Sequence, residues 1–571
     1  MQSIFIGGAW PYANGSLHIG HLAALLPGDV LARYFRQKGH PVLYVSGSDC
    51  HGTPIVVRAR QEHCLPEEIA SRYHQEFDQV FRDLGFSYDC YSRTDQSEHA
   101  SLVQDVFRVL LEKDYLVEKQ ASQVYCPGCR QFLPDRYVIG ACPHCGAPSR
   151  GDQCDTCTSL LDSIELTDKH CQQCGSPTTE RISSHFYLRL SILQNFLADH
   201  LAANGRGYRQ NARNETARYL REGLPDRAVT RDLEWGIRVP LTGYDHKRIY
   251  VWIDAVLGYL SASQRWSQLS GKDWRPYWTD SAQSWYVHGK DNIPFHSLIL
   301  PALLQGYDPQ LKQPDHLLSS EYLTLEGRKI STSRNWAVWI RDLLADYPAD
   351  SIRYYLLSNS PEKRDADFSR RAFVQCHNGE LVGAFGNFVN RTFQFLKKYR
   401  DGVTPNEACD EIIQISINQT YLDSGRLIEA GEIKAAQERI FALIRHLNQY
   451  FDREKPWLTR HTDPDACDRA LATCLHGIVN LTQLLGPYLP FVSSRIRQEL
   501  QLQEKPGWSF APCPCGRVLG EVTLLFPRLE PNLAQGSPLC HTPDSVQHDV
   551  AVGGSRPVCD NRSSHAAARL A

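Results

Sequence analysis

The sequence lacks long apolar runs, a leader-like N-terminus and an excess of one charge, and each absence excludes a class of protein. No stretch of 18 apolar residues occurs, so we expect no membrane span. No basic segment followed by an apolar one opens the chain, which favours a cytoplasmic protein over a secreted one. Lys and Arg number 61 against 64 Asp and Glu. Any polyanion must therefore be bound by local basic patches.

Cysteine, by contrast, is abundant, and eight of the 19 cysteines form four Cys-x-x-Cys pairs. In a long chain without a leader, such pairs favour metal-binding thiolates over disulfides, and they exceed what a dithiol redox enzyme uses. Two pairs complete one tetrahedral zinc site, so the sequence predicts two closed, structural zinc ions. The predicted ligands are Cys126, Cys129, Cys142, Cys145, Cys154, Cys157, Cys171 and Cys174.

Spacing alone does not settle which cysteine pairs share an ion. We expect a nested arrangement, because the shorter loop closes first. The inner site would then use Cys142/Cys145 with Cys154/Cys157, and the outer site Cys126/Cys129 with Cys171/Cys174.

The 571 residues are too many for one core, so we expect several domains. Residues 1–115 alternate buried strands (Ser3–Gly8, Pro41–Val45) with helical patterns, which predicts a parallel α/β sheet. Residues 116–230 form the cysteine-rich insertion. Strand-like runs at Ile249–Ile253 and Trp285–His288 predict that the sheet resumes over 231–325. Residues 376–505 have helical periodicity, which predicts an α-helical bundle, and 506–571 form an extension that we expect to be disordered from about 532.

The segment His18-Ile19-Gly20-His21 follows the first predicted strand. Its two imidazoles fall on neighbouring positions in the first turn of a helix, where free N–H groups and the helix dipole favour phosphate. A lone motif of this kind is more often an ordinary surface or core pair. A partner motif is present in Gly327-Arg328-Lys329-Ile330-Ser331-Thr332-Ser333-Arg334, a loop whose small residues suit closure over a phosphate.

Together the two motifs resemble the signatures of class I aminoacyl-tRNA synthetases, and further segments are similar to methionyl-tRNA synthetases. These segments are Pro11-Tyr12-Ala13-Asn14-Gly15, Gly47-Ser48-Asp49-Cys50-His51-Gly52-Thr53-Pro54, Arg231-Asp232, Val251-Trp252-Ile253-Asp254-Ala255, Gly289-Lys290-Asp291-Asn292-Ile293-Pro294-Phe295-His296 and the four-knuckle insertion. The resemblance runs from residue 1 to about 530. Isoleucyl, valyl and leucyl enzymes carry an editing domain for which this chain has no room, and cysteinyl enzymes lack the knuckled insertion.

The resemblance implies a Rossmann-like parallel-sheet catalytic domain with a zinc-knuckle insertion, a signature-loop region that contacts the tRNA stem over 326–375, and a helical anticodon-binding domain. The implied activity is that of a methionine–tRNA ligase. ATP and L-methionine give methionyl-adenylate, and the methionyl group then passes to the 3′-terminal adenosine of initiator or elongator tRNA(Met). Mg²⁺ is expected with ATP. No dimerisation module is recognisable in the tail, so a monomer is expected.

The resemblance also implies which residues bind ATP. His18 and His21 would donate to phosphate oxygens, and Lys329 would approach the leaving pyrophosphate, with Ser331 and Ser333 in the same loop. Lys290 and Asp291 match the ATP-contacting pair of the family, the aspartate accepting from the ribose hydroxyls.

For the amino acid, the resemblance assigns Asp49 to the substrate ammonium and Arg231 to its carboxylate. A thioether is apolar and a weak acceptor, so its pocket should be aromatic with one or two donors. Taken singly, each aromatic residue is more often ordinary core. The matching pocket positions are Ala9, Trp10, Tyr12, Trp252, Tyr259 and His296.

In the helical region, Asn387 and Arg391 lie four residues apart, hence on one helical face, and Trp457 follows seventy residues on. In the family the matching residues read the CAU anticodon by hydrogen bonds and stacking, as unpaired bases are generally read. The alternative is a capped helix start with a core tryptophan.

One departure concerns the second signature motif, where Thr332 replaces the second lysine of the family and Ile330 its methionine. The lost charge would weaken transition-state stabilisation by a few kcal/mol. Two rival hypotheses therefore stand beside an active methionine–tRNA ligase. One is a paralogue that activates another amino acid, and the other is a tRNA-binding protein without catalytic activity.

Overall fold

Strands and helices alternate over the first 368 residues, and helices follow as far as residue 499. The computed structural model describes residues 1–133, 137–151, 154, 156–157, 161, 163–331 and 336–530. The strands are β1 (Ile4–Gly8), β2 (Val42–Ser48), β3 (Cys90–Arg93), β4 (Leu116–Cys126), β5 (Gln131–Phe132), β6 (Val138–Ala141), β7 (Pro148–Arg150), β8 (Thr167–Cys171), β9 (Thr179–Leu188), β10 (Arg227–Ala228), β11 (Thr230–Asp232), β12 (Lys247–Ile249), β13 (Gln283–Gly289), β14 (His316–Ser320), β15 (Leu323–Leu325), β16 (Arg328–Lys329) and β17 (Ala366–Phe368).

The α-helices are α1 (Ile19–Gln37), α2 (Thr53–Gln61), α3 (Pro66–Asp83), α4 (Ser97–Glu112), α5 (Leu190–Asn204), α6 (Gln210–Glu222), α7 (Val251–Ser270), α8 (Leu300–Tyr307), α9 (Ile340–Asp346), α10 (Ala349–Ser358), α11 (Arg370–Cys376), α12 (Asn387–Tyr399), α13 (Glu411–Glu429), α14 (Ile433–Glu454), α15 (Pro456–Thr462), α16 (Pro464–Leu485) and α17 (Pro490–Glu499). Short 3₁₀ turns span Gly205–Gly207, Arg275–Tyr277 and Lys290–Asn292, and π-helical turns span Phe295–Ile299 and His377–Gly386. Among the described residues, no helix is both long and apolar enough to cross a membrane.

Five parallel strands form the central sheet, in the order β14-β13-β1-β2-β3. The inner strands are buried along nearly their whole length, as a sheet covered by helices on both faces requires. Strand order reverses between β1 and β13, and ligands of doubly wound sheets bind outside the carboxyl ends of the strands at such a reversal. The predicted Rossmann-like fold is therefore confirmed.

The prediction of a strand over Ile249–Ile253 is wrong. β12 ends at Ile249 and pairs antiparallel with β11, outside the central sheet, while Val251 begins the 20-residue helix α7. A short apolar run does not distinguish a strand from the first turn of a buried helix, so periodicity alone could not decide.

The insertion is a long antiparallel ribbon of β4 and β9, paired from Leu116↔Leu188 to Tyr125↔Thr179. The cysteine knuckles lie at its far end, around a small sheet in the order β7-β6-β8. The apolar cluster there contains only a handful of buried residues, including Val124, Leu133 and Leu166. A core this small usually needs cross-links, such as bound metal ions, to keep its fold.

The helical region confirms the predicted bundle. α16 is buried from Ala470 to Leu485 and packs against α13, α14 and α15, so it forms the centre of the bundle. Residues 506–530 contain no regular element, yet they pack back onto the bundle, and the Trp508 ring contacts those of Tyr34 and Tyr421. The expected disorder from about residue 532 lies outside the described residues.

Candidate functional site

The carboxyl ends of four central strands bring the predicted site residues to one edge of the sheet. Ala9 and Trp10 follow β1, and Asp49 follows β2. Lys290 and Asp291 follow β13, and a tyrosine that the sequence analysis did not single out, Tyr322, follows β14. This edge includes the reversal between β1 and β13, where the fold places a ligand.

His18 and His21 cap the N-terminus of α1. The Gly20 backbone N–H donates to Nδ1 of His18 at 3.1 Å, and the His18 N–H donates to Nδ1 of His21 at 3.2 Å. Since a backbone N–H can only donate, both Nδ1 atoms are acceptors and each ring carries its hydrogen on Nε2. The capping arrangement therefore supplies two Nε2–H donors beside the positive end of the helix dipole.

Both imidazoles are uncharged near neutral pH. Burial lowers the pKa of His21 to about 4. Burial and the neighbouring His21 ring, 3.8 Å away between centroids, lower the pKa of His18 well below its usual range. The pair can therefore offer hydrogen bonds to a bound anion, but not a full positive charge.

We expect the free energy of unfolding to fall between pH 7 and pH 5. Burial lowers the pKa of His74, His296 and His316 to about 4 as well, so the unfolded chain binds more protons over this range than the folded one does. Urea midpoints at the two pH values measure the effect.

Buried carboxyls act in the opposite direction, because burial raises the pKa of Asp350 to about 6 and that of Asp49 well above its usual range. The shifted histidines outnumber them, so the net change is a loss of stability. Equal or higher stability at pH 5 would contradict this prediction.

The second signature motif and the segment after it lie against the start of α1, where a Cβ at Gly20 would be 3.6 Å from Cδ1 of Ile330. The Ile19 N–H donates to the Val338 carbonyl at 3.1 Å, and the Ile340 N–H donates to the Leu17 carbonyl at 2.9 Å. Two backbone hydrogen bonds of 2.9 Å between Ser331 and Trp336 close the loop between them. Thr332 and Ser333 fall within that loop and lie outside the described residues.

Tyr322 organises the predicted ATP residues. The Lys290 ammonium lies 3.8 Å from the Tyr322 ring centroid and that of Lys329 lies 5.1 Å away, while the Tyr322 hydroxyl donates to Asp291. Lys290 also pairs with Glu321 at 2.7 Å. One aromatic ring thus holds both lysines at the edge of the site. A lone tyrosine after a strand carries no signal that marks this role in the sequence.

The predicted side-chain pocket is assembled around Trp10. Its ring meets that of Tyr259 edge-on at 6.3 Å, and a Cβ at Gly47 or Gly258 would come within 2.3 or 2.7 Å of its indole. Only glycine at these two positions therefore lets the indole lie flat against β2 and α7. The Trp10 N–H is buried without a partner among the described residues.

His296 closes the pocket as an acceptor. Its Nδ1 donates to the Asn292 carbonyl at 2.8 Å, so Nε2 accepts from the Tyr259 hydroxyl at 2.8 Å. The hydrogen of the Tyr259 hydroxyl is therefore engaged by His296.

The other side of the pocket carries the predicted polar contacts. Asp49 is 2% exposed and is pinned through its backbone to Pro11 and Ala13. The Tyr12 hydroxyl accepts from the Trp252 indole N–H at 2.8 Å. Asp49 and this aromatic pair therefore share one rim of the pocket.

Arg231 lies further out than the other predicted pocket residues. Its guanidinium stacks on the Tyr250 ring at 4.2 Å and donates to the carbonyls of Ala228 and Thr230. The Tyr250 ring contacts that of Trp252 at 5.4 Å. The Tyr250 ring therefore lies between Arg231 and Trp252, which belongs to the pocket wall.

A buried cluster behind Asp49 escaped the sequence analysis. Asp254 accepts hydrogen bonds from Nδ1 of His51 at 2.8 Å and from Nε2 of His99 at 2.9 Å. Asp254 is completely buried, and the histidines are 6% and 2% exposed. A carboxylate is rarely buried without a partner. Asp254 within an apolar helix turn was therefore the signal in the sequence that could have pointed to this cluster.

The helical region brings Arg391 and Trp457 to one surface. The Arg391 guanidinium lies 4.2 Å from the Phe451 ring and pairs with Asp452 at 2.7 Å, and the Phe451 ring lies 6.0 Å from that of Trp457. Trp457 is 41% exposed, so it is not a core residue. Asn387 is exposed and continues a helical segment from residue 377 instead of capping it. Neither feature fits the alternative of a capped helix start with a core tryptophan.

The eight paired cysteines form two groups of four, with all sulfurs in a group within 4.8 Å of one another. The outer group combines Cys126/Cys129 with Cys171/Cys174, and the inner group combines Cys142/Cys145 with Cys154/Cys157, as the nested pairing predicts. Cross-pair Sγ–Sγ distances are 3.4 and 3.8 Å in the outer group and 3.7 Å twice in the inner. Tetrahedral zinc with Zn–S bonds of about 2.3 Å requires Sγ–Sγ distances of about 3.8 Å, so the donor sets fit that ion.

Comparison with known proteins gives the same picture over most of the chain. Residues 4–393 match the family model of class I tRNA synthetases (M), and residues 402–514 match that of the anticodon binding domain of methionyl tRNA ligase. Methionine–tRNA ligase 1 of Alkaliphilus oremlandii is 52% identical over 534 residues, or 94% of this chain and 98% of the relative. A methionine–tRNA ligase of Bacillus cereus is 52% identical over 503 residues, or 88% and 92%.

The fold also matches a solved structure, Mycobacterium tuberculosis methionyl-tRNA synthetase in complex with methionyl-adenylate. The TM-score is 0.76 at 23% identity, and the match covers 92% of this chain and 100% of the other. The features that define a class I aminoacyl-tRNA synthetase are present together. They are a doubly wound sheet, two imidazoles that cap a helix beside the reversal of strand order, and the lysine-containing signature loop next to them. Within that class, the sequence matches decide the family. The chain belongs to the methionyl-tRNA synthetases, the methionine–tRNA ligases.

Proposed function

We propose that this protein activates L-methionine with ATP and transfers the methionyl group to tRNA(Met), both initiator and elongator. The observation that carries the proposal is the meeting of the two signature motifs at the start of α1, beside an aromatic pocket at the same sheet edge. A phosphate bound at the helix N-terminus and an amino acid in the pocket would face each other across the reversal between β1 and β13.

In the activation step the substrate carboxylate attacks the α-phosphorus of ATP, and pyrophosphate leaves. The Nε2–H groups of His18 and His21 would donate to phosphate oxygens as negative charge builds. Lys329 would move from the Tyr322 ring toward the leaving pyrophosphate, and Lys290 and Asp291 would hold the nucleotide. Placement on fixed strand ends aligns the two reactants, which is a large part of the rate enhancement.

The amino acid would be recognised at both of its ends. Asp49 would pair with the ammonium, and Arg231 would turn from its backbone carbonyls toward the carboxylate. The thioether would lie among Ala9, Trp10, Tyr12, Trp252, Tyr259 and His296, with the Trp10 N–H as its donor. An apolar, polarisable sulfur suits a pocket with aromatic walls and a single weak contact.

The remaining assignments follow the same family pattern. Asn387, Arg391 and Trp457 would read the anticodon, which the meeting of Arg391 and Trp457 on either side of Phe451 supports. Mg²⁺ would enter with ATP, and the protein would act as a cytoplasmic monomer. We divide the chain at residues 115, 230, 325, 375 and 505, since insertion, sheet and bundle elements change near these points.

Methionine-dependent exchange of pyrophosphate into ATP, followed by aminoacylation of both tRNA(Met) species, tests the proposal. We expect both activities for methionine and background rates for other amino acids. Exchange with a different amino acid would favour the altered paralogue, and tRNA binding without exchange would favour the protein without catalytic activity.

The variant Thr332→Lys restores the second lysine of the signature motif. We expect it to raise the exchange rate by about tenfold or more, because a second positive charge would act on the phosphates in the transition state. A rate equal to that of the unaltered protein would show that Arg328 and Arg334 already compensate for the missing lysine.

The cysteine groups would hold two structural zinc ions, which supply cross-links that the small core of the insertion lacks. Replacing Cys171 by Ser should lower the bound zinc from about two ions per chain to about one, measured by native mass spectrometry. Cys513, which lies outside both groups, provides the control variant Cys513→Ser with unchanged zinc. Two ions retained in Cys171→Ser would contradict the assignment.

A further inference from the structure

Asp254 connects the two halves of the amino-acid pocket. On one side His51, which donates from Nδ1 to Asp254, also donates its backbone N–H to Oδ1 of Asp49 at 3.2 Å. On the other side His99, which donates from Nε2 to Asp254, stacks against Trp10 with ring centroids 6.5 Å apart. One buried carboxylate therefore orients both the ammonium site and the side-chain pocket.

Within this cluster the two carboxyl groups, Asp49 and Asp254, interact unfavourably with each other. Burial raises the pKa of Asp254, but its interactions with His51 and His99 outweigh burial and hold that pKa below its usual range. Burial and the negative charge of Asp254 together raise the pKa of Asp49. Tyr12 also faces this group, and burial raises its pKa further from neutrality. A cation bound beside Asp49 and Asp254 would relieve the repulsion between their carboxylates.

We propose that Asp254 is a positioning and specificity residue for the substrate's amino group. It adds a second negative charge behind Asp49, and through His51 and His99 it fixes Asp49 and Trp10 in the geometry that binds the amino acid. The inference deepens the proposed function, since the α-ammonium of methionine is the cation that the two carboxylates attract.

The variant Asp254→Asn removes the charge and keeps the shape of the side chain. Its affinity for L-methioninol, which has the ammonium but no carboxylate, should fall by about tenfold or more, since a nearby buried charge acts strongly on a cation. Its affinity for 4-(methylthio)butan-1-ol, which has the thioether but no amine, should change less than about twofold. Titration of tryptophan fluorescence in the full chain measures both.

The ratio of the two affinities separates charge from structure. An equal loss for both compounds, or no loss for either, would overturn the role of Asp254 at the amino group. The matched control Ser261→Ala removes a hydroxyl 2.7 Å from Nδ1 of His99 without changing any charge, and should leave the ratio as it is. Circular dichroism establishes that each variant is folded.

A second variant tests the contact of Asp254 with Trp10 through His99, and it remains informative if Asp254→Asn does not fold. His99→Gln keeps a donor toward Asp254 but loses the ring that stacks on Trp10, so both compounds should bind about threefold more weakly with an unchanged ratio. Unchanged binding of both compounds would overturn the role of His99 in positioning Trp10. Unaltered protein that binds neither methioninol nor methionine would contradict the proposed function itself, a result distinct from either failure.

Discussion

The substitution His21→Asn is expected to lower methionine-dependent pyrophosphate exchange by about 10²–10³-fold, the usual cost of losing one donor to a developing oxyanion. The Asn side-chain oxygen can still accept the His18 N–H, so the cap of α1 is retained. What is lost is the Nε2–H that the capping geometry directs away from the helix. The exchange rate at saturating ATP and methionine measures the effect.

Methionine binding supplies the control for this prediction. His21 is not part of the aromatic pocket, so the affinity for methionine should stay within about twofold of that of the unaltered protein. An exchange rate reduced less than about threefold would show that His21 is a structural cap and not a phosphate donor.

The second large effect is on stability, at a buried ion pair between α1 and α10. Arg353 and Asp29 are both completely buried and lie 2.7 Å apart. Arg353 also donates to the carbonyls of Leu84, Pro487 and Tyr488, so a single guanidinium joins the sheet domain to the turn between α16 and α17. Arg33 and Arg353 overcome the effect of burial and hold the pKa of Asp29 well below its usual range.

Replacing Arg353 by Met should reduce the free energy of unfolding by about 3–5 kcal/mol, because it removes the fully buried cation beside Asp29 and the donor to three carbonyls, and leaves Arg33 as the one cation paired with that carboxylate among the described residues. Urea unfolding followed by both fluorescence and circular dichroism measures the change, and the two transitions must coincide for a single value to apply.

An exposed ion pair between the same parts of the molecule provides the matched control. Lys38 and Glu429 lie 2.6 Å apart, and both are more than a third exposed. Lys38→Met should therefore cost less than about 1 kcal/mol. Equal losses in the free energy of unfolding in the two variants would show that burial is not the reason for the large contribution of Arg353.

Several elements of this protein follow from neighbours in the chain. The apolar runs at Ile4–Gly8 and Val42–Ser48 form strands that are buried along their whole length, as a parallel sheet covered on both faces requires. Cys-x-x-Cys spacing allows two thiolates to face one ion, so the eight paired cysteines were predictable, and loop length favoured the nested grouping that the structure has. The two histidines of the capping segment are likewise local, since a helix N-terminus recruits side chains that accept its free N–H groups.

Other features needed the tertiary structure. His51 and Asp254 are separated by 203 residues, and Arg353 and Asp29 by 324, so no local pattern announces either contact. Tyr322 became recognisable only when β13 and β14 were paired and two lysines met over its ring. The run Ile249–Ile253 was misassigned for a related reason, since packing of α7 against β2 and β3, and not periodicity, decides its conformation.

The sequence by itself determined the family, the strands β1, β2 and β13 of the central sheet, the four cysteine pairs and the residue types of the site, because each is encoded within a few neighbouring positions. The tertiary structure alone decided which distant charges and rings meet: Asp254 behind Asp49, Tyr322 between the lysines, and Arg353 between the domains. The physical reason is that a buried charge is tolerated only where the fold brings it a partner, and that partner is chosen by packing over the whole molecule.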